Sequence, residues 1–214
     1  MNSRETVNAR ETVLSRIRGA LELAPAEPVE VPRDYRRGRS LPVEQRLELL
    51  EDRLVDYKAA VHRCAADETA ATIAAALHAR GAGRVGIPAG LARSWLAEFA
   101  GDVEVDASGP AAQLNRFDGV VTSSAVTCAE TGTIFLDGTA EQGRRALSLV
   151  PDLHVCVVDA SSVVAGVPEA VALLVPERPT TLISGPSATS DIELDRVEGV
   201  HGPRTLEVVI RTDA

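Results

Sequence analysis

From residue 84 onward, the sequence alternates short apolar runs, rich in Val, Ile and Leu, with segments whose composition is typical of helices and turns. Several runs are apolar throughout, as expected where a strand is buried on both faces of a parallel sheet. The alternation therefore predicts an α/β fold with a mostly parallel sheet covered by helices on both faces. The predicted strands lie at 84–87, 103–105, 119–122, 132–136, 147–150, 154–158, 181–184 and 205–211, with helical or turn segments at 91–99, 110–117 and 168–174.

The first 42 residues are predicted to be an extension of this domain. Residues 3–18 are charged, and their few apolar positions are spaced for a narrow helical stripe. Four prolines and a cluster of arginines fall within residues 24–42, which indicates a linker. We therefore expect residues 1–42 to form an N-terminal helix and a linker rich in Pro and Arg.

Residues 43–214 are predicted to form the α/β domain together with its leading helices. Apolar residues at three- and four-residue steps indicate an amphipathic helix over residues 43–62. An alanine-rich helix is predicted from Asp67, as its N-cap, to Arg80, with Gly81 ending it.

The charge balance restricts the partners of the chain. Lys and Arg total 22 against 31 Asp and Glu, so the net charge of -9 argues against nucleic acid or an anionic membrane as the main partner. The charged N-terminus lacks the apolar core of a signal peptide, and no apolar stretch approaches the roughly 20 residues of a membrane span. The cysteines are few, odd in number and widely spaced, which is not a disulfide framework. We therefore expect a cytoplasmic protein with reduced thiols and no membrane insertion.

No sequence motif predicts a bound cofactor or metal. Gly81 and Gly83 in GAGRVGIPAG precede a strand, whereas the glycines of a dinucleotide site follow one, and GxxxxGK[ST] is absent. His154 and Cys156 can converge on one strand face, but a tetrahedral metal site usually needs four ligands. Because its cysteines are not clustered, the chain is expected to hold no iron–sulfur cluster of its own.

The stretch CAETGTIFLDG, residues 128–138, contains a carboxylate in a turn that leads into an apolar strand. Glu130 at such a position can act as a nucleophile or base if its surroundings tune it. The alternative is that Glu130 only caps the turn while Gly132 supplies an unusual backbone angle. The residues of this stretch favour the second interpretation.

Two Gly-Pro turns near the C-terminus concentrate hydroxyl and charged side chains. They lie in SGPSATSDIE, residues 184–193, and GVHGPR, residues 199–204. Arg204 and nearby backbone N–H groups could receive a carboxylate or phosphate, because loops at the carboxyl ends of parallel strands commonly bind ligands. Equally, the carboxylates could accept hydrogen bonds from loop N–H groups and from Arg204, and so hold this complicated loop in one conformation. The residues alone leave these two interpretations even.

Four fragments in series resemble the lactate utilization protein C family, the LUD domain: AETGTIFLDG, RRALSLVPDLHVCVV, SGPSATSDIE and GVHGPRTLEVVI. The resemblance covers about residues 80–211. It implies a fold similar to the group of glucosamine-phosphate deaminase, ribose-phosphate isomerase and CoA-transferase (NagB/RpiA/CoA-transferase-like). It also implies a cytoplasmic role in oxidising L-lactate to pyruvate with iron–sulfur partner subunits, types A and B.

The resemblance also identifies candidate site residues. Glu130 is the candidate catalytic residue, although the family often has aspartate at its position. The candidate residues for binding a small anionic metabolite are Thr131, Gly132, Thr133, Gly185, Pro186, Ser187, Thr189, Asp191, Glu193, His201, Gly202 and Arg204, with Pro203 also matching the motif. We expect the loops at 130–133, 184–193 and 199–204 to converge at one end of the sheet.

Two functions follow from this reasoning. The leading hypothesis is a component of an L-lactate utilization system that binds a small ligand or a partner. The alternative is a stand-alone enzyme with a CoA-transferase-like fold that acts on an acyl-CoA or a phosphorylated small molecule through Glu130. Fold alone does not decide between them, since one fold serves many chemistries.

Overall fold

The computed structural model describes residues 9–23, 30–186 and 202–214, together with the backbone of two short strands at 188–189 and 197–198. Contacts divide the chain into two compact units, residues 1–36 and 37–214. The first unit contains helix α1 (Ala9–Leu23), which continues past the predicted end at residue 18. Residues 3–8 of that prediction lie outside the described residues. The predicted division after residue 42 stays a prediction. In the described part of the chain, no helix is long and apolar enough to cross a membrane.

The second unit contains the α/β domain. Its helices are α2 (Val43–Asp56), α3 (Thr69–Ala79), α4 (Arg145–Leu149) and α5 (Val167–Leu173). Its strands are β1 (Ala60–Cys64), β2 (Arg84–Ile87), β3 (Asp102–Val105), β4 (Gly119–Ser123), β5 (Val126–Cys128), β6 (Thr133–Leu136), β7 (Leu153–Asp159), β8 (Val163–Val164), β9 (Thr181–Ile183), β10 (Ala188–Thr189), β11 (Val197–Glu198) and β12 (Thr205–Arg211). Short 3₁₀ helices lie at 66–68, 93–96, 111–116 and 160–162.

Six strands form the main sheet in the order β1-β12-β7-β4-β2-β3, and every neighbouring pair is parallel. Helix α2 packs on one face through Leu47, Leu50 and Leu54, which join Cys156 and other alternate strand residues in one apolar cluster. Helix α3 packs on the other face, where its side chains meet the intervening strand residues. Because side chains alternate across a strand, both faces of the central strands are buried. This confirms the predicted α/β class.

A second sheet, which the sequence did not predict, covers part of the face that α2 covers. Its order is β8-β5-β6-β9, with β5 parallel to β8 and antiparallel to β6, and β6 antiparallel to β9. Ile134, Leu136 and Val163 from this sheet join the α2 cluster. The predicted strand at 181–184, observed as β9, therefore belongs to the second sheet and not to the parallel one. Strands β10 and β11 form a separate antiparallel pair.

Two other local predictions are wrong. The helix predicted over 43–62 ends at Asp56, because Lys58 adopts a left-handed conformation (φ 66°) and the chain continues as β1. The strand predicted at 147–150 is instead part of α4, where Leu147 packs in a small apolar cluster with Phe117. The predicted stop at Gly81 is confirmed: its φ is 68° and its N–H donates to the His78 carbonyl at 2.9 Å.

Candidate functional site

Two adjoining cavities lie beside the second sheet and share Ser148 and Thr181 in their walls. The first, which we call the amino-edge cavity, measures about 250 Å³ and lies where β7 and β12 begin. The second, the carboxyl-edge cavity, measures about 400 Å³ and lies where β2 and β3 end. Both are large enough for a small metabolite.

The amino-edge cavity joins three stretches of chain. The turn after β9 supplies its rim, the Gly-Pro turn before β12 faces it, and α4 and the start of β7 supply the rest of the wall. Its lining residues are Ser148, Leu149, His154, Thr181, Leu182, Ile183, Ser184, Gly185, Pro186, Gly202, Pro203 and Leu206. The two Gly-Pro turns of the sequence motif therefore share one cavity, at the amino-terminal end of the parallel strands.

The carboxyl-edge cavity has the position that α/β proteins commonly use for ligands. Arg144 makes a bidentate ion pair with Asp106 in its wall, at 2.6 and 3.0 Å, and this hydrogen bonding raises the pKa of Arg144. Arg145, also in the wall, is exposed. Since Asp106 neutralises only one of the two arginines, this pair of arginines and one aspartate favours an anion.

A loop with two left-handed glycines closes the same cavity. Gly138 and Gly143 have φ values of 72° and 71°, and Gly90 donates its N–H to the Ala140 carbonyl at 2.8 Å. A Cβ on Gly90 would lie 2.6 Å from that of Ala140, so only glycine allows this approach. Ser108 in the cavity wall also has positive φ (58°), which is uncommon for a residue with a side chain.

His154 lies in the wall of the amino-edge cavity and is fully buried. Its Nε2 lies 2.8 Å from the hydroxyl of Thr122, which also donates to Sγ of Cys156 at 3.9 Å. Burial lowers the pKa of His154 to about 4 and raises the pKa of Cys156 to about 12. At neutral pH the imidazole is therefore uncharged and the thiol is protonated.

The turn at 130–133 meets the turn after β9 through hydroxyl groups. Thr131 donates to Oγ1 of Thr133 at 2.8 Å, and the Thr133 hydroxyl lies 2.8 Å from that of Ser184. These contacts connect two of the three predicted loops at their described ends.

Both turns also pack against the end of α2. Gly132 has φ 62°, and a Cβ there would lie 2.8 Å from Cβ of Arg53. Gly185 has φ 81°, and a Cβ there would lie 2.5 Å from Cβ of Tyr57. Tyr57 directly follows α2, and its N–H donates to the carbonyl of Arg53 at 3.1 Å, so the two residues lie on the same side of the last helical turn. The two glycines therefore allow both turns to sit against one helix face.

Glu130 occupies the exposed start of its turn. Its N–H donates to the Ala165 carbonyl at 3.1 Å, and its carbonyl accepts from Nε of Arg53 at 3.3 Å. A Cβ on Gly166 would lie 3.4 Å from Oε2 of Glu130, and Glu130 lines neither cavity. Its catalytic role stays a prediction.

Arg204 makes a bidentate ion pair with Asp152, with Nε 2.7 Å from Oδ1. The hydrogen bond from Arg204 holds the pKa of Asp152 below its ordinary value. Of the other predicted residues, Gly202 lines the amino-edge cavity, and Thr189 is described only as backbone paired with Val197 in β10 and β11. Ser187, Asp191, Glu193 and His201 lie outside the described residues.

Several residues that line the cavities were not predicted as site residues, although they lie in a recognised fragment. Arg144, Arg145, Ser148 and His154 all fall within RRALSLVPDLHVCVV, a fragment that carries the family resemblance. His154 was considered only as a metal ligand. In the part of the chain that the structure describes, no group of three or more His, Cys, Asp and Glu residues could hold a metal ion.

A third cavity, of about 410 Å³, lies on the face of the main sheet that α3 covers. Glu207 in its wall binds His62 and Arg80, each at 2.6 Å. Burial works to raise the pKa of Glu207, but the hydrogen bonds and the electrostatic attraction of these two partners together outweigh it, so the pKa lies below its ordinary value. Of the four fragments that resemble the family, only GVHGPRTLEVVI contributes to the wall of this third cavity, through Glu207.

Comparisons with known proteins agree with the family resemblance of the four fragments. The LUD domain family model matches residues 47–210. A lactate utilization protein C of Deinococcus radiodurans is 44% identical over 214 residues, which cover 96% of this chain and 96% of that protein. One from Geobacillus kaustophilus is 36% identical over 102 residues, 44% of this chain and 42% of that protein. A crystal structure of a DUF162 family protein from Deinococcus radiodurans is 40% identical, with a TM-score of 0.69 over 81% of this chain and 100% of that chain.

Proposed function

The chain belongs to the LUD-domain family of lactate utilization protein C, and we propose that it is the small-ligand- or partner-binding component of a cytoplasmic system that oxidises L-lactate to pyruvate. The extended similarity to the Deinococcus protein of that name supports the lactate role. The six-stranded parallel sheet with α2 and α3 on its faces supports a NagB/RpiA/CoA-transferase-like fold.

One observation carries the ligand role. All four fragments that resemble the family contribute to the walls of the two adjoining cavities, although they are spread over residues 129–210. Leu136 comes from the first fragment, His154 from the second, Gly185 from the third and Gly202 from the fourth. Segments that serve only to pack the core would not need to meet around a shared space.

The charge in the carboxyl-edge cavity supports a small anionic metabolite as the ligand. Arg145 is exposed in its wall, and a guanidinium forms strong hydrogen bonds with a carboxylate or a phosphate. Electron transfer is assigned to the iron–sulfur subunits of types A and B, because the cysteines of this chain, Cys64, Cys128 and Cys156, are buried and not clustered in the sequence.

A gene deletion with complementation tests this function. Deleting the gene should abolish growth on L-lactate and leave growth on pyruvate intact, and the wild-type gene should restore growth. Normal growth of the deletion strain on L-lactate, with no second copy of the gene present, would contradict the lactate role.

Two variants of the complementing gene test whether growth on L-lactate needs the cavities themselves or only the presence of the protein. Thr181→Trp places a large side chain in the wall that both cavities share, so it should fail to restore growth on L-lactate. Ser94→Trp adds the same side chain at an exposed position that lines neither cavity, and it should restore growth. Equal growth of the two strains at equal protein levels would contradict a ligand role for the cavities.

A further inference from the structure

The two adjoining cavities are much larger than the metabolite that the proposed function implies. The carboxyl-edge cavity measures about 400 Å³ and the amino-edge cavity about 250 Å³. A lactate ion takes up roughly 120 Å³, since it displaces about four water molecules at about 30 Å³ each. A ligand pocket usually buries most of the surface of its ligand, so this space suits a longer molecule that occupies both cavities.

The residues that the two cavities share are small. Ser148 on α4 and Thr181 at the start of β9 line both of them. The Ser148 hydroxyl donates to the carbonyl of Arg145 at 3.3 Å, so it is held against its own helix. An extended ligand can therefore lie across these two short side chains, with one end in each cavity.

The two cavities differ in charge. In the carboxyl-edge wall, Asp106 holds Arg144 in a bidentate ion pair and Arg145 adds a second guanidinium, so two arginines against one aspartate leave one positive charge. The described amino-edge wall contains no Asp, Glu, Lys or Arg, and its His154 is neutral at physiological pH because burial lowers its pKa to about 4. A ligand with one carboxylate and an uncharged body matches this distribution, since a second charge would lose water without gaining a partner.

The amino-edge cavity also offers apolar surface to such a body. Leu149 and Ile183 are half-buried in its wall. Leu182 lies in the same wall on β9, an edge strand of the second sheet, and it is 61% exposed. An alkyl chain that covers these side chains would remove apolar surface from water, which favours binding.

We propose that the two cavities form one site for 2-hydroxy monocarboxylates whose uncharged side chain is longer than the methyl group of lactate. The carboxylate binds Arg145 in the carboxyl-edge cavity. The side chain of the acid extends past Ser148 and Thr181 and covers Leu182 in the amino-edge cavity. This inference rests on the proposed function, from which the 2-hydroxy acid is taken, and it adds that L-lactate is the smallest member of the class that the site binds.

The test measures affinity by calorimetry along a series of acids. The full wild-type chain is titrated with L-lactate and with the 2-hydroxy derivatives of butyrate, pentanoate and hexanoate. Affinity should rise about fourfold with each added methylene that becomes buried. L-Malate, which carries a carboxylate in place of the terminal methyl of 2-hydroxybutyrate, should bind at least about tenfold more weakly than that acid.

A pair of matched variants tests where the side chain of the acid lies. Leu182→Asp places a charge in the amino-edge wall, so it should remove the rise of affinity with chain length. Leu173→Asp places the same charge at a leucine on α5 that is 65% exposed and lines neither cavity, and it should keep the rise.

Affinity that stays level or falls along the series would overturn the inference, as would an equal rise in the two variants. So would L-malate binding as tightly as 2-hydroxybutyrate, or the absence of binding by every acid. These results differ from failure of the proposed function, which is judged by growth of the deletion strain. The series uses the wild-type chain, so it remains decisive if Leu182→Asp does not fold.

Discussion

Replacing Gly185 with alanine tests how the turn at the cavity rim is held in place. The new side chain would face two separate penalties. The left-handed backbone at φ 81° costs a residue with a Cβ about 1–2 kcal/mol. The Cβ would also lie 2.5 Å from Cβ of Tyr57 and 3.0 Å from its carbonyl oxygen, well inside the 3.4–4 Å of ordinary contact. Overpacking of this kind costs about 1–3 kcal/mol, so the total loss should be about 2–5 kcal/mol.

Gly81→Ala is the matched control for this substitution. Gly81 has a similar φ of 68°, but nothing lies within 4 Å of the position its Cβ would take. It should therefore lose only the backbone part, about 1–2 kcal/mol. The difference between the two variants isolates the contact with Tyr57.

The assay is urea unfolding of both variants and the wild type, followed by circular dichroism, with the free energy of unfolding extrapolated to water. We expect Gly185→Ala to be the less stable variant by about 1–3 kcal/mol. It should also bind the cavity ligand more weakly, because the turn must move away from Tyr57. Equal losses in the two variants would refute the conclusion that the turn is packed against the end of α2.

Three further predictions concern ionisable groups. The pKa of His154 is about 4 in the folded chain against 6.5 when unfolded, so the unfolded state binds more protons between these values. The free energy of unfolding should therefore fall by about 3 kcal/mol as the pH drops from 6.5 to 4, a loss that His78→Gln keeps and His154→Gln removes. Asp152→Asn should lower stability at pH 7 by less than about 1 kcal/mol, because the pair with Arg204 is exposed. The Asp152 pKa is lowered, so that difference should persist above the ordinary value of 3.8 and vanish as the pH falls through the lowered pKa. Glu130→Gln tests the enzymatic alternative: if the purified chain turns over an acyl-CoA or a phosphorylated substrate, this variant should abolish turnover while its urea unfolding stays unchanged, since the side chain is exposed.

The sequence predicted the fold class because the strands of the main sheet carry a strong local signal. Runs such as residues 154–158 and 205–211 are rich in apolar residues and long enough to be recognised, and these two belong to the parallel sheet. In the second sheet, β6 and β9 were recognised as strands at 132–136 and 181–184, but β5 and β8 left no signal, since they have three residues and two. The run at 147–150 was misassigned because a short apolar segment has no period that separates a strand from a buried helix.

Some features of the candidate site follow from the sequence, and its residue roles stay predictions. The resemblance identified fragments that meet at the cavities, and the left-handed φ values of Gly132 and Gly185 show a backbone reason for two of the motif glycines. The environment of His154 could not be predicted, because Thr122 lies 32 residues away in the sequence. Only the register of β4 and β7, which pairs Thr122 with Cys156, brings these groups together.

Amide chemical shifts of the ¹⁵N-labelled chain, recorded with increasing L-lactate, test most directly whether the family fragments form one ligand site. The account predicts saturable shifts at Gly138, Ser148, Gly185 and Gly202, one from each fragment and all in the cavity walls. The amide of Arg80, in the wall of the third cavity, should not move. Shifts confined to the surroundings of Arg80, or no saturable shift at any of the four, would contradict it.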